Sequence, residues 1–169
     1  LDEKAFPPRE VMTAISRAKD EMLSSADYAK KWSGSGDWRK ERIASVYKRY
    51  TDVLREANAL DFDDLILHTV RLLQSDEEVR ERYRQKFRYV LIDEYQDTNR
   101  MQYELVRLLT GERRNICVVG DDDQSIYRFR GADITNILNF EKDYRGARTI
   151  RLEQNYRSTQ NILDAANAV

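Results

Sequence analysis

The chain has 169 residues, enough for one domain or two small ones, and 41% hydrophobic with 35% charged residues describes a soluble globular protein. Its formal net charge of -1 excludes a globally basic nucleic-acid binder, so any such surface must be local. Cys117 is the only cysteine, which excludes an internal disulfide and, with no apolar stretch of transmembrane length, makes a reducing cytoplasm the expected location. Leu1-Asp2-Glu3-Lys4 has neither the basic start nor the apolar core of a signal peptide, and no initiator Met. The expectation is a piece of a longer protein.

Pro7-Pro8 opens a segment, Arg9 to Lys31, with Val11, Ile15, Ala18 and Met22 at helical spacing. Ser33-Gly34-Ser35-Gly36 is a break, and a second helix over 37–58 carries Ile43, Val46, Tyr47, Tyr50 and Leu54 along one face. The pair reads as a solvated helical hairpin. Helices are predicted over 60–74 and 76–86, then strands at 88–93, 115–120 and 149–153 with helices at 99–110 and 133–142 between them. That alternation is the signature of an α/β fold with a parallel sheet and crossover helices. Ser158 is the expected cap of a last helix running to Val169.

Chemistry-bearing residues gather at the strand ends. The apolar run Tyr89-Val90-Leu91-Ile92 stops at Asp93-Glu94. Neighbouring strand-end acids point to different faces, so one can ligate Mg²⁺ while the other polarises an attacking water. A lone Asp-Glu pair is equally what an exposed loop carries. The next strand runs through Cys117-Val118-Val119-Gly120 into Asp121-Asp122-Asp123-Gln124, with Tyr127-Arg128-Phe129-Arg130 beyond. Gln124 is neutral and both donates and accepts, which suits sensing a phosphate or a water. Aromatics interleaved with guanidiniums suit single-stranded nucleic acid, although an acidic turn before a half-buried aromatic reads the same way. In Glu153-Gln154-Asn155-Tyr156-Arg157-Ser158, Tyr156 can stack on an adenine and Arg157 can stabilise phosphoryl charge; a helix cap beside a surface arginine is the plainer reading. Asp61, Asp63 and Asp64 complement a helix N-terminus, which leaves Phe62 among them unexplained.

In this order, DFDDL, LIDEYQDTN, VVGDDDQSIYRFRGA and LEQNYRST closely resemble the superfamily 1 DNA helicases of the UvrD/PcrA/Rep type. FPPREVMTAISRAKDE is similar to their accessory helical subdomain, nearest the PcrA-like members. The resemblance runs along essentially the whole chain. It implies an accessory helical subdomain over 1–58, the later half of a first RecA-like motor domain over 59–148, and the start of a second over 149–169. It implies Asp93 as the Mg²⁺ ligand and Glu94 as the base for water attack. Gln124 would contact the γ-phosphate of ATP, Tyr156 would pack on the adenine and Arg157 would reach the γ-phosphate. Phe62, Tyr127, Phe129 and Arg130 would line a single-strand DNA track. The implied activity is ATP-driven 3′→5′ translocation with duplex unwinding at DNA junctions.

The sequence departs from the family pattern in two places. Phe129 stands where Trp is usual, a smaller ring for stacking. No G-x-x-x-x-G-K-[ST] run occurs, so the backbone cradle for the phosphates is not within these residues. The expectation is therefore a P-loop-type fold without its P-loop, inactive by itself and dependent on the rest of a parent chain. The helicase part of an AddA/RecB-like helicase–nuclease, and a P-loop-less module binding nucleic acid or protein, are the alternatives.

Overall fold

The computed structural model describes residues 6–125 and 131–168. They belong to two compact units, Leu1–Asn139 and Phe140–Val169. The chain is mostly helical, with one small parallel sheet among the described residues.

The first unit opens with α1 (Pro8–Asp20), α2 (Ser25–Trp32) and α3 (Trp38–Glu56). Pro8 sits at the first helical position, where its missing N–H costs nothing. Val11, Ile15 and Ala18 of α1 meet Tyr28 of α2 and Ile43, Ala44 and Tyr47 of α3 in one core that Phe6 closes. Each large apolar side chain such as Val11 or Ile15 contributes roughly 1.5–3 kcal/mol on full burial.

The sequence predicts one helix from Arg9 to Lys31, but two form. Met22 takes a left-handed backbone at φ 63°. Met22 N–H donates to Lys19 O and Leu23 N–H to Ala18 O, the paired bonds that close a helix C-terminus. Ser24 then starts α2 with a reciprocal cap: its Oγ accepts from Asp27 N–H, and Asp27 Oδ2 accepts from Ser24 N–H. Tyr47 Oη donates to Leu23 O at 2.9 Å and pins the turn to α3.

α4 (Phe62–Ser75) and α5 (Glu77–Lys86) lead to β1 (Val90–Ile92). From there the chain passes through α6 (Arg100–Thr110) to β2 (Ile116–Val118), which pairs parallel with β1 in the register Val90–Ile116, Leu91–Cys117, Ile92–Val118. Leu67, Val70 and Leu73 of α4 pack on Met101 and Leu108 of α6, forming a second core that Met22 also touches. α7 (Thr135–Leu138) ends the unit.

The second unit holds α8 (Phe140–Asp143) and α9 (Gln160–Asn167). The single helix expected over 133–142 is thus two short pieces, separated at Asn139. The strand expected at 149–153 does not form: Ile150 and Leu152 are 69% and 83% exposed, and no ladder partner lies beside them among the described residues. Alternating apolar residues make a strand only when a neighbouring strand satisfies their backbone groups. α9 begins one residue later than its expected Ser158 cap, after Thr159, and neither side chain caps it.

Candidate functional site

The two strands end side by side, and each runs into an acidic turn. Beyond β1, Val119 N–H donates to Ile92 O and Tyr95 N–H to Val119 O, so the pairing continues past the last ladder residues. Between these bonds Glu94 adopts φ 50°, ψ 44°, a left-handed backbone that costs about 1 kcal/mol for a residue with a Cβ. Such outliers persist only where surrounding contacts hold them, and here those contacts lie on both sides. Asp93 Oδ1 accepts from Glu94 N–H at 2.9 Å. Gln96 Nε2 donates to Glu94 Oε2 at 2.7 Å.

Gln96 continues into the second turn. It is 1% exposed, and its Oε1 accepts from Asp121 N–H at 3.0 Å. Asp121 Oδ2 in turn accepts from Gln124 Nε2 at 2.7 Å, and its Oδ1 accepts from Asp123 N–H. Glu94 and Gln124 are therefore joined through two intervening residues, Gln96 by its side chain and Asp121 by its backbone N–H and its carboxylate. Gly120 makes the approach possible, since a Cβ there would lie 2.6 Å from Gln96 Oε1 and 2.7 Å from Ile137 Cδ1.

A third tie reaches back to α1. Asn99 caps α6 through Oδ1, which accepts from Gln102 N–H, while its Nδ2 donates to Asp20 Oδ1 at 2.8 Å in the interior. Gly131–Asn136 returns to the same place: Ala132 bridges Asn99, Asp133 N–H donates to Thr98 O, and Asn136 Nδ2 donates to Thr98 O and Oγ1.

The other expected site residues are placed as follows. Phe62 is the first residue of α4 and is 89% exposed. Tyr127, Phe129 and Arg130 lie outside the described residues. In the second unit Asn155 Oδ1 accepts from both Arg157 N–H and Ser158 N–H, folding a tight Asx-type turn on which Tyr156 is 93% exposed and Arg157 is exposed.

A family model described as the UvrD/REP helicase N-terminal domain matches residues 1–145. This chain belongs to the UvrD/REP helicase family. Proteins named ATP-dependent DNA helicase PcrA, from Leuconostoc citreum, Staphylococcus epidermidis and Staphylococcus aureus, are each 53% identical to it over all 169 residues. The chain spans 22% of the length of the first and 23% of the other two.

Within this UvrD/REP-family chain, the described residues fit Mg²⁺ as a site of few protein carboxylates. No group of three or more His, Cys, Asp or Glu side chains converges among them. Mg²⁺ accompanying a nucleotide takes one or two protein carboxylates and fills its remaining positions with phosphate and water. Asp93 is exposed and engages only Oδ1, so its Oδ2 is open to serve as one such ligand. No described helix is long and apolar enough to cross a membrane.

Gln96 carries no role in the sequence reading, although it lies two residues beyond Glu94. Its signal is spatial: only the fold brings it against Asp121, 25 residues away.

Proposed function

We propose that these residues form part of an ATP-dependent DNA helicase that moves 3′→5′ on single-stranded DNA and unwinds duplex at junctions. The observation that carries this reading is the hydrogen-bonded contact between the Asp93-Glu94 turn and the Asp121–Gln124 turn at the ends of adjacent parallel strands. Ends of parallel strands are where open α/β sheets hold ligands. The whole-length likeness to proteins named ATP-dependent DNA helicase supports it.

In this reading residues 1–58 are the accessory helical subdomain, 59–148 the later half of a RecA-like motor domain, and 149–169 the start of a second. Asp93 holds the Mg²⁺ of ATP, which neutralises phosphate charge when bound. Glu94 takes the proton of the attacking water at Oε1, since Oε2 is engaged by Gln96. Gln124 senses the γ-phosphate, Tyr156 packs on the adenine and Arg157 offsets charge on the transferring phosphoryl group. Phe62, Tyr127, Phe129 and Arg130 contact the DNA strand. Function requires the rest of a longer cytoplasmic chain, because the phosphate cradle is not among these residues.

Two measurements test this. The 169-residue chain alone is expected to hydrolyse no ATP, with or without single-stranded DNA; turnover that disappears in Glu94→Gln would overturn that part. In the full-length protein carrying the segment, Glu94→Gln is expected to lower DNA-stimulated kcat by about 100-fold or more.

A further inference from the structure

We propose that Gln96 is a positioning residue that fixes the Glu94 carboxylate and ties its orientation to the Asp121–Gln124 turn. The proposal rests on the reading of Glu94 as the base.

The amide of Gln96 has only one workable orientation. Its Nε2 faces a carboxylate oxygen and its Oε1 faces an N–H donor. Turned over, it would set oxygen against carboxylate and NH₂ against N–H, losing both bonds. With the side chain 1% exposed, no solvent is at hand to replace them.

The two ends serve different purposes. The bond to Asp121 N–H joins the turn after β2 to the turn after β1, a tie between backbone segments. The bond to Glu94 satisfies the buried Nε2 of Gln96, whereas the Glu94 carboxylate is exposed and water would serve it equally. Its effect is to choose a rotamer: one oxygen is held at 2.7 Å by a buried donor, and the other is left for proton transfer. A misplaced base loses rate even when its chemistry is intact.

The same path runs in the other direction. Asp121 presents its N–H to Gln96 and its carboxylate to Gln124 Nε2. A displacement of Gln124 that pulls on Asp121 is transmitted to the amide holding Glu94. Gln96 thereby lets the state of the second turn decide whether the base is in place.

The test uses the full-length protein with single-stranded DNA. Gln96→Glu keeps an acceptor for Asp121 N–H but sets a carboxylate against Glu94; Gln96→Met removes both bonds at similar volume. Each is expected to lower kcat by about tenfold or more while ATP KM stays within about threefold. Built into Glu94→Gln, either change is expected to reduce the residual single-turnover rate by less than about twofold, because a residue acting through Glu94 has nothing left to position. Thermal unfolding of each variant accompanies the kinetics, and Gln96→Glu decides if Gln96→Met does not fold. A kcat within about twofold of the parent, or an undiminished loss in the Glu94→Gln background, overturns the proposal. Failure of both variants to fold assigns the amide to packing and overturns it too. Full activity in Glu94→Gln alone removes the base reading itself, an outcome separate from failure of the Gln96 link.

Discussion

Lys19 Nζ donates to Asp61 Oδ2 at 2.6 Å across 42 positions of sequence, from a side chain only 2% exposed. Asp64 Oδ1 lies 2.7 Å from the same ammonium, and Tyr50 Oη donates to Asp61 Oδ2. One buried cation thus ties α1 to the capped start of α4, where Phe62 stands exposed. Removing one partner of a buried pair costs far more than the pair contributes, because the remaining charge is left without compensation. Lys19→Met is expected to lower unfolding free energy by about 3–5 kcal/mol. Urea unfolding at neutral pH measures this, and a loss below about 1 kcal/mol would place the pair with ordinary surface bridges.

That loss depends on pH. Burial pushes the Asp61 carboxyl up, but Lys19, the Asp64 N–H and Tyr50 together outweigh it and hold Asp61 below the usual carboxylate range. Tyr50 is pushed up to about 12 by burial and by its bond to Asp61, so it remains a donor throughout. A carboxyl depressed in the folded state adds stability that is present above its unfolded value, about 3.9, and lost as pH falls through the folded value. The gap between the parent chain and Lys19→Met should therefore be constant at neutral pH and narrow below about pH 4. A gap that widens in acid would contradict the assignment of sign.

Much of this region is legible in the sequence because its signals are local. Apolar runs ending at Ile92 and Val119 announce strands, Pro8 announces a helix start, and the acids at Asp61, Asp63 and Asp64 announce a helix N-terminus, although not that Asp61 caps it. The end of α1 is another matter. Its terminating residue is Met22, not the glycine or asparagine that marks most left-handed helix ends, so nothing at that position flags it. The Ser24–Asp27 cap one step later is a readable signal, but a serine followed by an acid also occurs within helices. Residues 149–153 show the converse failure, where alternation is present but no strand neighbour lies among the described residues. The link from Glu94 through Gln96 to Asp121 is invisible before folding, since it depends on two turns meeting across the sheet end.

Asn99 has two jobs that substitution can separate. Asn99→Ala loses the α6 cap, worth about 1 kcal/mol, and a buried hydrogen bond to Asp20 worth a further 1–3 kcal/mol or so. Asn99→Asp keeps a capping oxygen for Gln102 N–H but brings a second carboxylate against Asp20. If the tie to α1 matters, Asn99→Asp should be no more stable than Asn99→Ala at pH 7. An aspartate variant as stable as the parent would reduce Asn99 to a cap alone. Denaturant midpoints at equal slope give the comparison.

Gly120 is needed for space and not for an unusual backbone. A methyl group there meets Gln96 Oε1, Ile137 Cδ1 and, at 3.3 Å, Tyr95 N. Ile137 can turn aside, but Gln96 is pinned at both ends and can yield only by breaking a bond. Gly120→Ala is expected to destabilise the fold by about 1–3 kcal/mol. In the full-length protein it should also depress ATPase kcat more than ATP KM, because it disturbs the group beside Glu94. Wild-type kcat in a folded Gly120→Ala protein would show that the contact tolerates displacement.

Phe62 separates stability from binding most cleanly. Its ring is 89% exposed at the first position of α4, so packing explains none of it. The neighbouring acids are accounted for, Asp61 as cap, Asp64 as its reciprocal partner and Asp63 as a first-turn acid that complements the helix dipole. Phe62→Ala should leave unfolding free energy unchanged within about 0.5 kcal/mol, as surface substitutions generally do. Stacking on a nucleobase is worth about 1–3 kcal/mol, so single-strand affinity of the full-length protein should fall by roughly 5- to 150-fold. Because the ring carries no charge, the salt dependence of binding should keep its slope. Unchanged affinity, or a loss that comes with a changed slope, would remove Phe62 from the strand-contacting set while leaving the helix it begins intact.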